Sequence, residues 1–324
     1  MSLYLLRRLI QAIGVMAVMS LIVFLGVFAI GDPVEMLISP DADQIERERA
    51  VIALGLDKPL WMQYLLFLSN ALSGDLGRSF VFNEPALQLI MGRMPATLEL
   101  ALGATFMAII IGLPLGLYAG LRPNGATSKA IMAVSILGFS LPTFWVGLML
   151  IMVFAVQLGW LPSSGRGETA MLFGVPWSFL TWDGLTHLIM PATNLALFKI
   201  SLVIRLTRAG VRETMLMDYV KFARAKGLSP SRVTFVHVFK NILIPVVTVV
   251  GLELGSTIAF SVVTESVFAW PGMGKLIIDS INVLDRPVIV AYLMTIVLMF
   301  ITINLIVDLT YSFLDPRVRL EAKG

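Results

Sequence analysis

Asp218-Tyr-Val-Lys-Phe-Ala-Arg-Ala-Lys-Gly227-Leu-Ser-Pro230 is a charged island between two apolar runs. Its charges at 218, 221 and 224 fall on one helical stripe. Tyr219, Phe222, Ala223 and Ala225 give a different face of small and aromatic groups. Gly227 suits the left-handed conformation that ends a helix, and Pro230 forbids continuation. The island therefore predicts a short amphipathic helix over residues 218–228 with a sharp stop. An ordinary solvated loop helix and a docking element for a partner both fit these residues.

The rest of the chain sets the context. Of its 324 residues 57% are hydrophobic and 14% charged, where a soluble domain carries about 25% charged residues. Mean hydropathy is +0.88. These values predict an integral membrane protein. A helix crosses a bilayer with about 20 apolar residues, and the stretches that qualify are Leu9–Ile30, Leu98–Leu121, Ile131–Gln157, Leu188–Leu206, Ile242–Val263 and Val288–Ser312. The expected fold is all-α with six transmembrane helices. The first stretch follows Arg7-Arg8 but is too long for a signal peptide and has no small-residue cleavage site after it, so a retained anchor is expected.

Lys and Arg placement sets the orientation. With the N-terminus inside, the inner set is Arg7, Arg8, Arg122, Lys129, seven residues between 207 and 240, and Arg317, Arg319 and Lys323, 14 in all. The short outer loops 158–187 and 264–287 hold only Arg166, Lys275 and Arg286. Both termini are thus expected in the cytoplasm, with an outer segment between helices 1 and 2 and the 218–228 helix between helices 4 and 5. The expected parts are an N-terminal tail and first span over 1–30, the extracytoplasmic segment 31–97, the transmembrane core 98–312 and a cytoplasmic tail over 313–324. Within the outer segment Pro59-Leu-Trp-Met-Gln-Tyr-Leu-Leu-Phe-Leu68 suits a helix lying at the interface.

Gly112, Gly116 and Gly120 recur every four residues in the second span, a spacing that lets helix backbones approach closely. Ionisable groups inside spans face the bundle interior and find partners. Lys199 and Glu253 are expected to pair across spans four and five near the pathway, or else Lys199 snorkels to the interface. For Asp308 a structural partnership with a basic residue is expected. Phe144, Trp145, Phe268 and Trp270 read as interfacial anchors or vestibule lining. Zero cysteines exclude disulfides and thiolate metal sites, and His187 and His237 belong to no ligand cluster, so no metal site is expected. Nor is any catalytic residue: no nucleophile–base or metal constellation stands in the sequence.

Several stretches together resemble one family. Ala223-x-x-x-Gly227 followed by an apolar pair and Pro245 looks like the coupling motif of ABC importer permeases, with Lys221 where the general motif carries Glu. Gly31-Asp-Pro33, Leu54-Gly-Leu-Asp-Lys-Pro59, Gly74-Asp-Leu-Gly77, Pro95-Ala-Thr-Leu-Glu-Leu100, Leu141-Pro-Thr-Phe-Trp145 and Gly159-Trp-Leu-Pro-Ser-Ser-Gly165 resemble the dipeptide/oligopeptide (peptide/nickel) subfamily. So do Thr264-Glu-Ser-Val-Phe-Ala-Trp-Pro-Gly-Met-Gly274 and Asp308-x6-Asp315-Pro-Arg317. The match is to the first of the two permeases such systems carry.

The resemblance implies a multi-pass protein of the bacterial cytoplasmic membrane, paired with a second permease. Two ATP-binding subunits and an extracytoplasmic substrate-binding protein complete the importer, and no nucleic acid is involved. The coupling residues it implies are Asp218, Tyr219, Lys221, Ala223, Arg224, Gly227, Ser229 and Pro230. Ala223 would sit against the ATPase groove, and Ser229 and Pro230 would end the helix. Glu265, Phe268 and Trp270 would belong to the outer gate. The chain has no phosphate loop, since Gly272-Met-Gly-Lys275 is followed by Leu276. ATP and Mg are therefore expected in the partner ATPases, and no cofactor in this chain. The implied cargo is a di- or oligopeptide, with nickel complexes, glutathione or another small solute as alternatives. A different class, an autonomous secondary transporter or channel, would use Lys199, Glu253 and Asp308 as an ion relay.

Overall fold

A computed structural model describes residues 2–29, 44–53 and 56–314. Gly31–Pro33, Leu54-Gly55, the Asp315–Arg317 motif, and Arg319 and Lys323 of the tail lie outside the described residues. The helices are α1 (Ser2–Ala29), α2 (Gln44–Ala53), α3 (Leu60–Leu72), α4 (Ala86–Leu121), α5 (Ala126–Ser140) and α6 (Thr143–Leu150, continued by π-wound Ile151–Gln157). A hairpin of β1 (Ala170–Leu172) and β2 (Val175–Trp177) follows. Then come α7 (Trp182–Thr214), α8 (Asp218–Ala225), α9 (Pro230–Phe260), α10 (Val262–Val267), α11 (Met273–Asn282) and α12 (Arg286–Leu314).

Among the described residues five helices are long and apolar enough to cross a membrane, or six if the bent pair α5 and α6 makes one span. That pair corrects the expected continuous span Ile131–Gln157. The axis turns by 105° between Ser140 and Thr143, because the residue before Pro142 is driven to extended backbone and Leu141 takes φ −82°, ψ 136°. The other spans are longer than their apolar cores. α4 starts at Ala86, so helix replaces the last part of the expected outer segment 31–97. α7 runs past Leu206 to Thr214, and α9 starts at Pro230, ahead of Ile242. Apolar runs mark where a helix meets lipid, whereas hydrogen-bonded winding continues through polar residues beyond it. The hairpin was not expected of an all-α chain. Its tip, Phe173-Gly174, has φ +54° and +76°, the primed turn that matches strand twist.

The chain packs as two units, residues 1–94 with 276–301, and residues 95–275 with 302–324. In the first, α3 lies where the sequence placed an interfacial helix. Tyr64 is hydrogen-bonded to Ser20 at 2.8 Å, and its ring meets Phe24 edge-on at 5.3 Å. Val23, Val290 and Met294 form the core beside them. The buried Asp285 carboxylate accepts from the Ser79 hydroxyl and the Phe80 and Val81 amides, tying the residues before α4 to the start of α12.

The second unit is organised on α7, the most buried candidate span. A methyl group on Gly112, Gly116 or Gly120 would lie 2.8, 2.7 or 2.6 Å from the Cβ of Val203, Thr207 or Val211. Both series climb by four residues, so α4 and α7 run in the same direction through this contact. The glycine ladder of the sequence is a helix–helix seam. Gly116→Leu is expected to push the two helices apart and to destabilise by about 3 kcal/mol or more. Thermal unfolding in detergent reads this, and an unchanged midpoint would contradict the seam.

Candidate functional site

The island at 218–230 folds as a clamped surface helix. Val220 and Ala223, both buried, pack into a cluster with Val211, Val233, Val238 and Ile242. Leu228 N–H donates to Ala223 O at 3.3 Å and Gly227 N–H to Arg224 O at 2.9 Å. These are the two bonds of a Schellman end, with Gly227 at φ +73° and Leu228 completing the apolar contact. The opposite face is open. Tyr219 and Phe222 are 44% and 62% exposed, and Leu216 just before the helix is 73% exposed. Lys226 lies 4.6 Å over the Phe222 ring, and Lys221 bonds Asp218 at 2.9 Å. That hydrogen bond, with the Lys221 charge, holds the exposed Asp218 carboxyl below its ordinary range. Arg224 reaches back to Met215 Sδ at 3.2 Å.

Two expectations need correction here. Ala223 is buried in the chain's own core, because the helix turns Val220 and Ala223 inward and Tyr219 and Phe222 outward. Ser229 and Pro230 do not end α8. They begin α9, with Ser229 Oγ accepting from Arg232 N–H at 3.4 Å and Pro230 in the first turn.

A second constellation surrounds Glu265, which is fully buried. Its carboxylate accepts from Thr97 Oγ1 at 2.7 Å, Ser261 Oγ at 2.8 Å and the Lys275 amide at 2.9 Å, and also from the Gly274 amide. The place a Gly272 side chain would take is filled by this carboxylate. Thr97 Oγ1 accepts in turn from Met273 N–H at 2.9 Å. Burial pushes the Glu265 carboxyl above the usual range, while the bonds from Thr97, Lys275, Ser261 and Gly274 pull it back. Trp270 donates from Nε1 to Ala96 O at 2.9 Å. Phe268 and Trp270 are buried at 2% and 0% exposure, so they are neither interfacial anchors nor vestibule lining. Packing against Leu188 and Ala192 draws Trp270 inside. Phe144 and Trp145 are exposed.

Glu99 and Arg166 were not singled out as a pair by sequence reasoning. Glu99, with a fully buried side chain, takes Arg166 Nη2 at 2.7 Å and Nε at 2.8 Å, the Ser178 amide, and Ser178 Oγ at 3.0 Å. Arg166 also donates to Pro176 O at 2.7 Å, so the pair fastens the β1–β2 hairpin to α4. The residues stand 67 positions apart, and no spacing rule joins them.

Lys199 and Glu253 make no ion-pair contact within 4.0 Å, but the Glu253 charge acts on Lys199 across the gap. Lys199, 4% exposed, donates to Thr105 Oγ1 of α4 at 2.9 Å, while Glu253 on α9 is half-buried. One turn and a half further along α7, Arg205 lies over the Phe139 ring at 4.4 Å. No group of three or more metal-ligating side chains is found among the described residues.

Comparison with known proteins places this architecture. Residues 112–320 match the family model of the binding-protein-dependent transport system inner membrane component, and residues 1–101 that of the N-terminal part of such membrane components. The di/tripeptide transport system permease DppB of Pseudomonas aeruginosa is 41% identical, with 89% of this chain and 90% of that protein aligned. The oligopeptide permease AppB of Bacillus subtilis is 38% identical over 98% of this chain and 99% of its own length. The glutathione permease GsiC of Escherichia coli O6:H1 is 37% identical over the same shares. An inward-facing structure of the MetNI methionine ABC transporter superposes with a TM-score of 0.53 at 18% identity, covering 72% of this chain and 99% of that one. It bears on the fold.

Proposed function

This chain belongs to the family of binding-protein-dependent transport system inner membrane components, and from that premise we propose that it forms half of the translocation pathway of an ATP-driven importer of di- and oligopeptides. It is a multi-pass permease of the inner membrane. The observation that carries the coupling role is α8, locked to the bundle by Val220 and Ala223 while Tyr219, Phe222 and Lys226 stay open. A rigid helix with an uncovered aromatic and cationic face is suited to dock in an ATPase subunit and pass its movement to α9. Asp218, Lys221 and Arg224 rim that face. ATP with Mg binds in the ATPases, and a second permease and a binding protein complete the assembly.

Six crossings, with both termini in the cytoplasm, fit the parallel course of α4 and α7. A chain that runs the same way twice must return between, and α5 with α6 is the segment available for the return. Glu265 with Phe268 and Trp270 braces the outer gate by holding the 268–274 turn closed on Ala96 and Thr97. Lys199 and Glu253 sit beside the pathway.

The test is uptake of a labelled dipeptide by the chain reconstituted with its sister permease, ATPases and binding protein. Uptake that needs both ATP and the binding protein is expected. Uptake without ATP would favour an autonomous carrier. ATPase stimulation by glutathione or a nickel complex, but not by peptide, would replace the cargo and keep the architecture.

A further inference from the structure

We infer that Arg205, Phe139 and Phe198 form an anion subsite on the translocation route, beside the elbow between α5 and α6, which takes the carboxylate of a passing solute. The inference rests on the importer reading above for the identity of that solute, a peptide.

With Lys129 at headgroup level, Leu141 lies 12 residues on, about 18 Å deeper. That is inside a hydrocarbon core about 30 Å thick. Non-helical backbone at such a depth persists only where protein covers it or where it lines water. Within this chain it is not covered: Pro142 and Thr143 are exposed and Phe144 is 53% exposed. A route for a hydrophilic solute supplies the water.

Arg205 stands next to that elbow. Gly138 lets α5 approach α7, where an added methyl would lie 3.3 Å from Ser201 Oγ. The close approach sets the Phe139 ring under the Arg205 guanidinium at 4.4 Å and stacks it on Phe198 at 4.9 Å. Both rings keep an open side, at 43% and 38% exposure. Arg205 is half-buried, and among the described residues no carboxylate reaches it. Its one side-chain hydrogen bond among the described residues, from Nε to Ser201 O, is long at 3.4 Å. A guanidinium whose central carbon sits over a ring keeps N–H groups for a planar, two-oxygen acceptor. An ionisable group within a span is expected to serve the route of the solute. Arg208, one turn further and half-buried, adds to the positive field.

The chain has no cysteine, so a single reporter is clean. Phe198→Cys in the assembled importer, with cysteine-free partners, is labelled by a sulfonate-bearing and by a trimethylammonium-bearing methanethiosulfonate. Each rate is normalised to its reaction with a free thiol. The anionic reagent is expected to react about fivefold faster or more. Adding Arg205→Gln abolishes that preference and Arg205→Lys keeps most of it. A dipeptide with a free carboxylate slows labelling during turnover, whereas its amide does not. An unreactive cysteine, a preference that survives Arg205→Gln, or equal protection by the amide overturns the subsite. Dipeptide uptake by the unaltered chain tests the importer reading separately.

Discussion

Ala223→Arg is expected to abolish ATP-driven uptake, by about tenfold or more, while the chain still inserts in the membrane. The reason lies in which way the residue faces. Ala223 is 4% exposed and shares its cluster with Val211, Val220, Val233, Val238 and Ile242. A guanidinium there is either buried without a partner, which costs several kcal/mol, or it levers α8 off the bundle. Levering is the cheaper outcome, because α8 is only eight residues long and is held by a few side chains. The helix would then have nothing rigid behind it. Phe222→Ala separates this from a docking contact. Phe222 is 62% exposed, so its loss should leave thermal stability unchanged and weaken retention of the ATPase. Normal uptake by Ala223→Arg would remove α8 from the mechanism. Full ATPase retention by Phe222→Ala would remove the aromatic face.

Glu265→Ala carries the second large effect. The substitution strands the hydroxyls of Thr97 and Ser261 and the amides of Gly274 and Lys275. Each unsatisfied buried donor costs about 1–3 kcal/mol, so a loss of about 3 kcal/mol or more is expected. Glu265→Gln should recover more than half, since the two hydroxyls can turn to accept from its amide. The acid form also predicts a pH dependence. Burial raises the folded-state value above the unfolded one, so the folded state binds its proton more tightly. This group therefore favours folding most below the unfolded value, and that share is lost as pH rises through the folded value. Glu265→Gln should flatten that part of the stability profile. Thermal unfolding in detergent across pH checks both statements, and an identical profile for Gln and Glu would refute the second.

What could be read from the sequence follows from the range of each interaction. Apolar length found the spans, and a four-residue glycine period found the seam of α4 with α7, because both are properties of one helix. Gly227 announced its Schellman end for the same reason. Ser229 and Pro230 were misassigned because the two residue types both stop one helix and start the next, and only the direction of the Ser229 hydrogen bond decides. The 105° elbow was hidden by hydropathy that continues unbroken across Leu141-Pro142. Long-range pairs were out of reach. Glu99 with Arg166, Thr105 with Lys199, and Phe139 with Arg205 each depend on how helices lie against one another. The inward turn of Ala223 was open to a helical-face count, since Val220 and Ala223 stand three apart and the aromatic residues fall between and beside them.

Val233–Phe239, at the start of α9, is wound with bonds five residues back, where an α-helix reaches four. An α-helix advances about 100° per residue and the wider winding less, so each residue that passes from one to the other turns everything ahead of it in the chain about the axis by roughly 20°. Ser229, Gly227 and α8 all lie ahead of it. A pull on α8 thus has a torsional outlet, and the stroke that opens the pathway can be a twist of the helix on its own thread in place of a straight push.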